Sequence, residues 1–436
     1  MCRLIADKTV TDMENDVFSG QELNTHNPMN EPTSPSIEDE AGFSQAEIAF
    51  IQAHLQDDVS TLMLRAKVFK GFNIKKLGEQ IQSRKKAQKK LPEWSANPEL
   101  IFPPALSVEQ SSSEATARYK ATLMSGHQLI DITGGMGVDC YYMRASFKHV
   151  QYFEQQTAVA DAAKFNFNQL GATNIHVHEA DSIETLKTEP YSADWIYADP
   201  ARRNANREKV VLLSDCTPDV VEHLSVLYER SPNILLKTSP LLDIDLAAKS
   251  LRNLKEVHVV GYENECKELL FVLKKDWISD TFEIKVRIIN ASGATKNLLD
   301  LTRESEQLAE VSYSNPLQYL YEPHAAVMKA GAFRTVCSTY RLSKLAVNSQ
   351  LYTSEHLLKG FPGRVFEVVA VCKPAIREIK KVIGGYKANL TVRNFPTNSE
   401  DLKRKLKLKD GGRFYLFATT LADNTRVMVI TVKPGH

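Results

Sequence analysis

The chain has 436 residues, and its 54 Lys and Arg residues almost balance its 53 Asp and Glu residues. At about 150 residues per domain, this length predicts two to four domains. No stretch approaches about 18 consecutive apolar residues, which excludes a membrane-spanning helix, and the start of the chain lacks the apolar core of a secretion signal. The 6 cysteines lie far apart without a CxxC pair, which argues against a zinc ribbon and a disulfide framework. We therefore expect a soluble cytoplasmic protein.

The charge is distributed unevenly along the chain. Residues 1–60 contain twelve acidic and two basic residues, a net charge of −10. Residues 65–90 contain ten basic and one acidic residue, and residues 371–436 contain fourteen basic and five acidic residues, so each segment carries +9. Residues 1–41 also lack an apolar period, which predicts a disordered acidic tail.

Residues 42–125 are predicted to form a small helical domain. Ser44 and Glu47 have the spacing of a capping box at the start of a helix. Asp58 can cap a second helix, and the apolar residues between about 74 and 91 recur at helical spacing beside a lysine-rich face. A further helix is expected after residue 113.

Short apolar strands alternate with amphipathic helices over residues 126–278. The five predicted strands cover 127–133, 149–154, 174–180, 193–199 and 233–239. This alternation predicts an α/β fold with a parallel, doubly wound sheet. Two more predicted strands, 256–263 and 267–275, are separated by only three residues, which permits an antiparallel hairpin but not a parallel crossover. Beyond residue 278 the pattern is less regular and indicates an α+β region.

The first predicted strand runs directly into a glycine-rich turn, Asp131-Ile132-Thr133-Gly134-Gly135-Met136-Gly137-Val138-Asp139. Such a turn lets the backbone approach a ligand closely, and the helix that follows offers unpaired N–H groups. An ordinary strand-to-helix turn also needs glycine, so the turn alone leaves both interpretations open. As a dinucleotide fingerprint it is defective, because Cys140 occupies the position of the third glycine.

Acidic residues also follow the second and third predicted strands. Glu154 lies 23 residues after Asp131, where an acid can hold two hydroxyls of a ribose. Asp181, followed by Ser182, can accept a hydrogen bond from an adenine amino group. Each could instead be a solvent-facing acid, but three acids at the carboxyl edge of one sheet are arranged as a ligand site would need them.

The fourth predicted strand ends in Asp199-Pro200-Ala201-Arg202-Arg203. The Asp199 carboxylate and the Pro200 carbonyl can hold an amine or hydroxyl nucleophile in line with a reactive carbon. Arg202 and Arg203 can bind a substrate phosphate or form surface ion pairs. Lys237, at the end of the fifth strand, is a weaker candidate.

Several longer stretches are more specific than the glycine turn. They are SSEATARYKA (112–121), DITGGMGVD, ADPARR, YLYEPHAAVMKAGAF (319–333) and FPGRVFEV (361–368). Over about 125–278 the chain resembles a class I S-adenosylmethionine-dependent methyltransferase. As a whole it resembles a bacterial family of such methyltransferases with a C-terminal THUMP-like domain.

This resemblance implies a domain organisation and an assignment of site residues. It implies a methyltransferase domain at 126–278, a small ferredoxin-like or linker subdomain at 279–324 and a THUMP-like α+β domain at 325–436. The residues implied to bind S-adenosyl-L-methionine are Asp131, Thr133, Gly134, Gly135, Gly137, Asp139, Glu154, Asp181 and Ser182. Asp199 and Pro200 would lie at the methyl-transfer centre. THUMP domains bind RNA, so the resemblance also implies an RNA substrate.

One departure from the resemblance concerns the acceptor. Enzymes that methylate amines usually carry Asp/Asn-Pro-Pro-aromatic after the fourth strand, whereas this chain has Ala201 and Arg202. A stacking aromatic ring must therefore come from elsewhere. Base N-methylation is the expectation that the Asp-Pro pair supports.

Two basic segments are candidates for nucleic-acid contact. In the C-terminal segment, Lys403, Arg404, Lys407 and Arg413 precede Phe414 and Tyr415, and basic faces near aromatic residues can bind phosphates and stack bases. The second segment carries Arg84, Lys85, Lys86, Lys89 and Lys90. Either could be a solvated helix face. His324 lacks a partner at metal-ligand spacing, so we expect no metal site.

The leading hypothesis is a cytoplasmic RNA methyltransferase that uses S-adenosyl-L-methionine. The alternative from another class is a noncatalytic RNA-binding protein with a vestigial cofactor site. A nicotinamide-dependent oxidoreductase is disfavoured by Cys140, by the predicted hairpin and by the lack of a Tyr-x-x-x-Lys pair or an obvious hydride-site His.

Overall fold

A computed structural model of the chain describes residues 42–202 and 212–435. The expected disordered tail, residues 1–41, and Arg203 lie outside these residues. In the described ranges, no helix is both long enough and apolar enough to cross a membrane.

Most helices are short. They are α1 Gln45–Ala53, α2 Val59–Leu64, α3 Ile74–Lys90, α4 Pro92–Ala96, α5 Ala105–Gln110, α6 Glu114–Ala121, α7 Val138–Met143, α8 Thr157–Gln169, α9 Ser182–Thr188, α10 Val220–Arg230, α11 Ile244–Ser250, α12 Arg303–Leu308, α13 Ala325–Ala330, α14 Phe333–Tyr340, α15 Ile376–Ile383 and α16 Ser399–Lys405.

Within the described ranges, the strands fall into two large sheets and one short ribbon. They are β1 Gln128–Asp131, β2 His149–Glu154, β3 Ile175–Glu179, β4 Trp195–Ala198, β5 Ala201–Arg202, β6 Cys216–Thr217, β7 Asn233–Thr238, β8 Leu254–Tyr262, β9 Glu265–Lys274, β10 Glu283–Ile289, β11 Thr295–Leu301, β12 Ser312–Tyr313, β13 Tyr319–Pro323, β14 Ser343–Ala346, β15 Ser349–Ser354, β16 Gly363–Cys372, β17 Asn389–Val392, β18 Tyr415–Thr420 and β19 Arg426–Val432.

The first sheet has the topology that the sequence predicts. Within the described residues its strand order is β11-β10-β8-β9-β7-β4-β1-β2-β3. Strands β1, β2, β3, β4 and β7 are parallel, and β9 pairs antiparallel with both β7 and β8. The central strands are buried on both faces, as parallel sheets covered by helices are. The predicted parallel sheet closed by an antiparallel hairpin is therefore confirmed.

The sheet extends further along the chain than we expected. We expected residues 279–324 to form a ferredoxin-like or linker subdomain, but β10 pairs parallel with β8 and β11 pairs antiparallel with β10. The side chains of Ile284 and Val286 point into the core beneath the sheet and are almost fully buried. The boundary at 279 therefore falls inside this sheet, because the exposed edge of β8 offers backbone partners to β10.

The N-terminal helices begin where the sequence places their caps. The side chain of Ser44 accepts a hydrogen bond from Glu47 N in a complete capping box, and Asp58 caps α2 through Thr61 N. On α3, the buried guanidinium of Arg84 donates to the carbonyls of Asn97, Pro98 and Leu100. Arg84 therefore fastens α3 to the following connector and is not available to a nucleic acid.

The second large sheet lies in the C-terminal part of the chain. Its order in the described residues is β12-β14-β15-β13-β16-β19-β18-β17. Helices α15 and α16 cover one face, where Ile379, Leu402 and Leu416 share one apolar cluster. This arrangement is the α+β architecture that the irregular pattern beyond residue 278 indicates.

Candidate active site

A cavity of about 500 Å³ opens at the carboxyl edge of the first sheet. Residues that follow β1, β2, β3 and β4 line it, as ligand sites of open α/β sheets do. The site residues predicted from the sequence that line this cavity are Thr133, Gly134, Gly135, Gly137, Asp139, Glu154, Asp181, Ser182 and Asp199.

The glycines of the turn are required by backbone conformation and by packing. Gly135 and Gly137 have φ values of +61° and +81°, which favour glycine. A Cβ at Gly134 would lie 2.4 Å from Cζ of Tyr152, and one at Gly137 would lie 2.5 Å from Cζ of Phe167. The turn therefore serves the strand-to-helix connection and at the same time forms one wall of the cavity.

Glu154 is held with its carboxylate in the cavity. Its Oε2 accepts a hydrogen bond from Gly135 N at 2.9 Å, and its Oε1 accepts one from Gln156 N at 2.9 Å. Each carboxylate oxygen keeps a second lone pair. The side chain is therefore oriented in advance and can still accept hydrogen bonds from two hydroxyls of a ligand.

Asp181 and Ser182 begin α9 at the same edge. Asp181 Oδ1 caps the helix through Ile183 N at 2.9 Å and Glu184 N at 3.0 Å. The hydroxyl of Ser182 donates to the carbonyl of Ile132 at 2.9 Å and is buried. Ser182 therefore holds α9 against the end of β1, and its hydroxyl does not point to a ligand.

Asp131 lies beneath the turn rather than in the wall of the cavity. Its carboxyl accepts a hydrogen bond from Thr133 N at 3.0 Å and is only 1% exposed. Burial, together with the charges of Asp139 and Asp199, raises the pKa of Asp131 to about 8. At neutral pH this carboxyl is therefore protonated. We expected Asp131 to contact the cofactor directly, but it lies beneath the turn and does not line the cavity.

Asp139 connects the helical N-terminal segment to the sheet. Its Oδ2 accepts hydrogen bonds from Ser112 Oγ at 2.7 Å and Tyr197 OH at 2.6 Å. Its Oδ1 lies 3.1 Å from Lys120 Nζ. Burial by itself would raise the pKa of Asp139, but the Lys120 and Lys237 ammonium groups lower it below its ordinary value.

Asp199 is fixed by two contacts at the end of β4. Its N–H donates to Thr133 Oγ1 at 2.7 Å, and its Oδ2 forms an ion pair with Lys237 Nζ. The carboxylate is one-third exposed (33%), and the Lys237 side chain is 12% exposed. Ala201 also lines the cavity, and the ribbon of β5 and β6 holds Ala201 and Arg202 by backbone pairing.

Comparison with known families and structures identifies the relatives of this chain. Residues 319–362 match a ferredoxin-like domain family, and residues 363–433 match a THUMP domain-like family. The crystal structure of a protein from Porphyromonas gingivalis W83, assigned as a methyltransferase, is 30% identical, with a TM-score of 0.78. The match covers 89% of this chain and 98% of that one. The chain belongs to the class I methyltransferase family with a C-terminal THUMP-like domain.

More distant structures match only part of this family member. M. capricolum TrmK in complex with S-adenosyl-homocysteine is 16% identical over 38% of this chain and 69% of its own, with a TM-score of 0.30. An rRNA methylase from Streptococcus thermophilus is 12% identical over 36% of this chain and 94% of its own, with a TM-score of 0.27. Similarity at this level carries no conclusion about function. A search of curated proteins found no match.

The sequence analysis did not predict the ion pair of Lys120 and Glu268, which lies near the glycine turn. Lys120 on α6 is fully buried, and its Nζ lies 2.8 Å from both carboxylate oxygens of Glu268 on β9. A signal was available, since Lys120 lies in the SSEATARYKA stretch and Glu268 directly precedes the apolar run 269–273 of its strand. Charged residues at such positions are almost always paired.

Among the predicted basic residues of the THUMP-like domain, Arg404, Lys407 and Arg413 are exposed and Lys403 is 28% exposed, but two of them already have acidic partners. Lys403 Nζ lies 2.8 Å from Asp410, and Arg404 lies 3.3 Å from Asp401. Lys407 is exposed. Exposed ion pairs of this kind contribute little free energy. Lys403 and Arg404 can therefore exchange their acidic partners for a phosphate.

The aromatic residues beside this basic face are less accessible than we expected. Phe414 is only 9% exposed and belongs to the core of the domain, while Arg413 lies over its ring at 4.9 Å. Phe414 therefore cannot stack on a base. His324, also singled out from the sequence, caps α13 through Ala326 N and contacts the carbonyl of Glu263.

Proposed function

We propose that this chain is an S-adenosyl-L-methionine-dependent methyltransferase that acts on RNA. The observation that carries the proposal is the presence, in one cavity, of a pre-oriented Glu154 and of Asp199 at the end of β4. Membership of a methyltransferase family with a THUMP-like domain supports it. The cavity volume of about 500 Å³ is within the range of small-molecule sites.

The residues around the cavity fit this cofactor chemically. Glu154 can accept hydrogen bonds from the two ribose hydroxyls, and Asp181 Oδ2, which accepts from Gln155 Nε2 at 2.9 Å, has a free lone pair for an adenine amino group. When bound, S-adenosyl-L-methionine supplies a methyl group on a positively charged sulfur.

RNA is the substrate class that the C-terminal domain favours. THUMP domains are RNA-binding modules, and the segment 371–436 carries a net charge of +9. We propose that Lys403, Arg404, Lys407 and Arg413 contact RNA phosphates, and that Arg202 and Arg203 bind a substrate phosphate. Asp199 and Pro200 led to the expectation of base N-methylation, but the ion pair between Lys237 and Asp199 favours a different acceptor.

Isothermal titration calorimetry tests the cofactor assignment. We expect S-adenosyl-L-methionine and its demethylated product to bind the full-length protein, and NAD to give no signal. Tight binding of NAD without a signal for the other two compounds would refute the methyltransferase assignment. A noncatalytic RNA-binding protein with a vestigial site is supported instead if all three fail to bind while RNA binds.

A further inference from the structure

Five charged side chains form two neighbouring ion-paired groups at the cavity wall. The carboxylates are Asp139, Asp199 and Glu268, and the ammonium groups are Lys120 and Lys237. Lys120 lies entirely inside the protein, whereas Asp199 lines the cavity and is paired with Lys237, whose side chain is 12% exposed. An ammonium group is therefore held next to the carboxylate that we assign to the methyl-transfer centre.

Lys237 carries its charge at neutral pH. Burial by itself lowers the pKa of Lys237, but the carboxylates of Asp199, Asp139 and Glu268 together raise it above its ordinary value. Its ammonium group is therefore a hydrogen-bond donor and has no lone pair with which to accept a proton. Any acceptor group that binds to Asp199 therefore lies beside the Lys237 ammonium group, which can donate a hydrogen bond to it.

The number of lone pairs on the acceptor atom decides which group can react there. A base nitrogen has at most one lone pair, and that pair must point at the methyl group to react. A donor such as Lys237 would occupy the same lone pair. A hydroxyl oxygen has two lone pairs and one hydrogen, so it can accept from Lys237, donate to Asp199 and still direct one lone pair at the methyl carbon.

We propose that the methyl acceptor is a hydroxyl oxygen, of the ribose 2′-hydroxyl class, held between Lys237 and Asp199. This inference rests on the proposed function and names its acceptor atom. A hydroxyl is present on every RNA nucleotide and acts as both donor and acceptor. The tetrapeptide Asp199-Pro200-Ala201-Arg202 also supplies no ring to clamp a base, in agreement with an acceptor on the sugar.

The transfer step balances with these groups. The hydroxyl oxygen forms a bond to the methyl carbon, and the bond between that carbon and sulfur breaks, with its electron pair going to sulfur. The hydroxyl proton passes to the Asp199 carboxylate and then to solvent. Lys237 holds the oxygen in line and stabilises the negative charge that develops on it as the proton leaves.

Lys120 and Glu268 act on this step only through other residues. Glu268 contributes to the charge that keeps Lys237 protonated, and Lys120 balances Glu268 and Asp139. These two are positioning residues, whereas Lys237 and Asp199 are assigned direct contact with the acceptor.

The experiment identifies the methylated atom by its chemistry. RNA from cells that lack the gene is incubated with the full-length protein and S-adenosyl-L-methionine labelled in the methyl group, and the RNA is then hydrolysed with alkali. A 2′-O-methyl group blocks cleavage of the adjacent phosphodiester, so the label should be found in alkali-resistant dinucleotides. Nucleoside mass spectrometry of cellular RNA with and without the gene provides a second measurement that does not use the purified enzyme.

Three outcomes separate this inference from the proposed function. Label in dinucleotides supports both. Label in mononucleotides, in the form of a methylated base, overturns the hydroxyl inference and leaves RNA methylation standing. If no RNA is labelled although S-adenosyl-L-methionine binds, the proposed function fails and the inference fails with it.

A variant pair tests the role of Lys237. Lys237→Met keeps an unbranched side chain that is one atom shorter and removes the donor, so we expect methyl transfer to fall by about 100-fold or more, with cofactor binding retained. Lys285→Met is the matched control. Lys285 lies on β10 and its side chain is 20% exposed, and its Nζ lies 3.0 Å from Oε2 of Glu256 on β8. Wild-type transfer by a folded Lys237→Met protein would overturn the inference. If that variant does not fold, the product analysis of the wild-type protein decides alone.

Discussion

Gly135 N lies 2.9 Å from Oε2 of Glu154 and donates a hydrogen bond to it. This contact connects the glycine turn after β1 to the end of β2, and it fixes the one carboxylate that we assign to the ribose of the cofactor. The two strands are hydrogen-bonded neighbours, and this pairing also fixes the position of the turn relative to the carboxylate.

The first prediction concerns Glu154. Glu154→Gln removes the negative charge and leaves a single acceptor oxygen, so the affinity for S-adenosyl-L-methionine should fall by about tenfold or more, since hydrogen bonds to charged groups contribute about 1.5–3 kcal/mol. Calorimetry measures this change. Glu179→Gln is the control, because Glu179 ends the neighbouring strand β3 and contacts Thr157. Equal losses of affinity in both variants would contradict the assignment.

The second prediction concerns Asp199. Asp199→Ala should lower the rate of methyl transfer to RNA by about 100-fold or more, because the acceptor loses the group that orients it and takes its proton. Cofactor affinity should largely persist, since Glu154 and Asp181 are untouched. Asp199→Asn keeps a polar partner for Lys237 and controls for the loss of that contact. Turnover of Asp199→Ala at the wild-type rate would show that Asp199 is misassigned.

The third prediction concerns the buried pair of Lys120 and Glu268. Glu268→Gln should lower the free energy of unfolding by about 3 kcal/mol, because the buried Lys120 would lose one of its two carboxylate partners. Glu263→Gln is the control on the same hairpin, since Glu263 is 49% exposed and lies 3.6 Å from Lys89. It should change stability by less than about 1 kcal/mol. Urea denaturation that gives the same midpoint for both variants would contradict this role.

The fourth prediction concerns pH and Asp131. The carboxyl has a pKa of about 8 in the folded protein and about 3.9 in the unfolded chain, so the folded state binds more protons between these values. Stability should therefore fall as the pH rises from about 4 to 8, by at most about 1.4 kcal/mol per pH unit from this group.

The variant Asp131→Asn isolates this contribution. It cannot titrate, so the stability of the wild-type protein relative to the variant should decrease as the pH rises through this window and level off above it. Urea unfolding at pH 5, 6, 7 and 8 measures the difference. A constant difference between the two proteins over this range would contradict the raised pKa.

The fifth prediction concerns RNA affinity. Reversing the charges of Lys403, Arg404 and Lys407 to Glu should weaken RNA binding and flatten its dependence on salt, because each lost phosphate contact removes about 0.7 from the logarithmic slope for a single strand. Calorimetry should show unchanged cofactor binding.

A matched triple variant controls for net charge. Lys148, Lys164 and Lys249 are exposed on the methyltransferase domain, and their reversal to Glu changes the total charge equally. If both triple variants flatten the salt slope to the same extent, the effect is nonspecific. If the C-terminal variant binds RNA with unchanged affinity and slope, the contact surface lies elsewhere, with Lys85, Lys86 and Lys89 as the next candidates.

The sequence predicts the fold and much of the cavity for simple reasons. The apolar runs predict parallel strands, and the short link before β9 excludes a parallel crossover, so the sheet must end in an antiparallel hairpin. The carboxyl ends of the parallel strands then lie at one edge of the sheet. Glu154 and Asp199 therefore lie where the strand pattern puts them.

Other features depend on distant contacts that no local pattern contains. Lys120 and Glu268 are 148 residues apart, and their pairing follows only from the folded topology. The pairing of β10 with β8 depends on an available sheet edge rather than on a motif. The burial of Asp131 at the end of β1, and of Phe414 just before β18, depends on which face of each strand packs against a helix, and one residue of register decides it.

Nucleoside mass spectrometry of RNA from cells with and without the gene tests the central claim most directly. RNA methylation by this protein predicts that one methylated nucleoside is lost with the gene. It also predicts that the wild-type gene restores this nucleoside, whereas a gene encoding Asp199→Ala does not. Identical nucleoside profiles with and without the gene, or full restoration by Asp199→Ala, would contradict the claim.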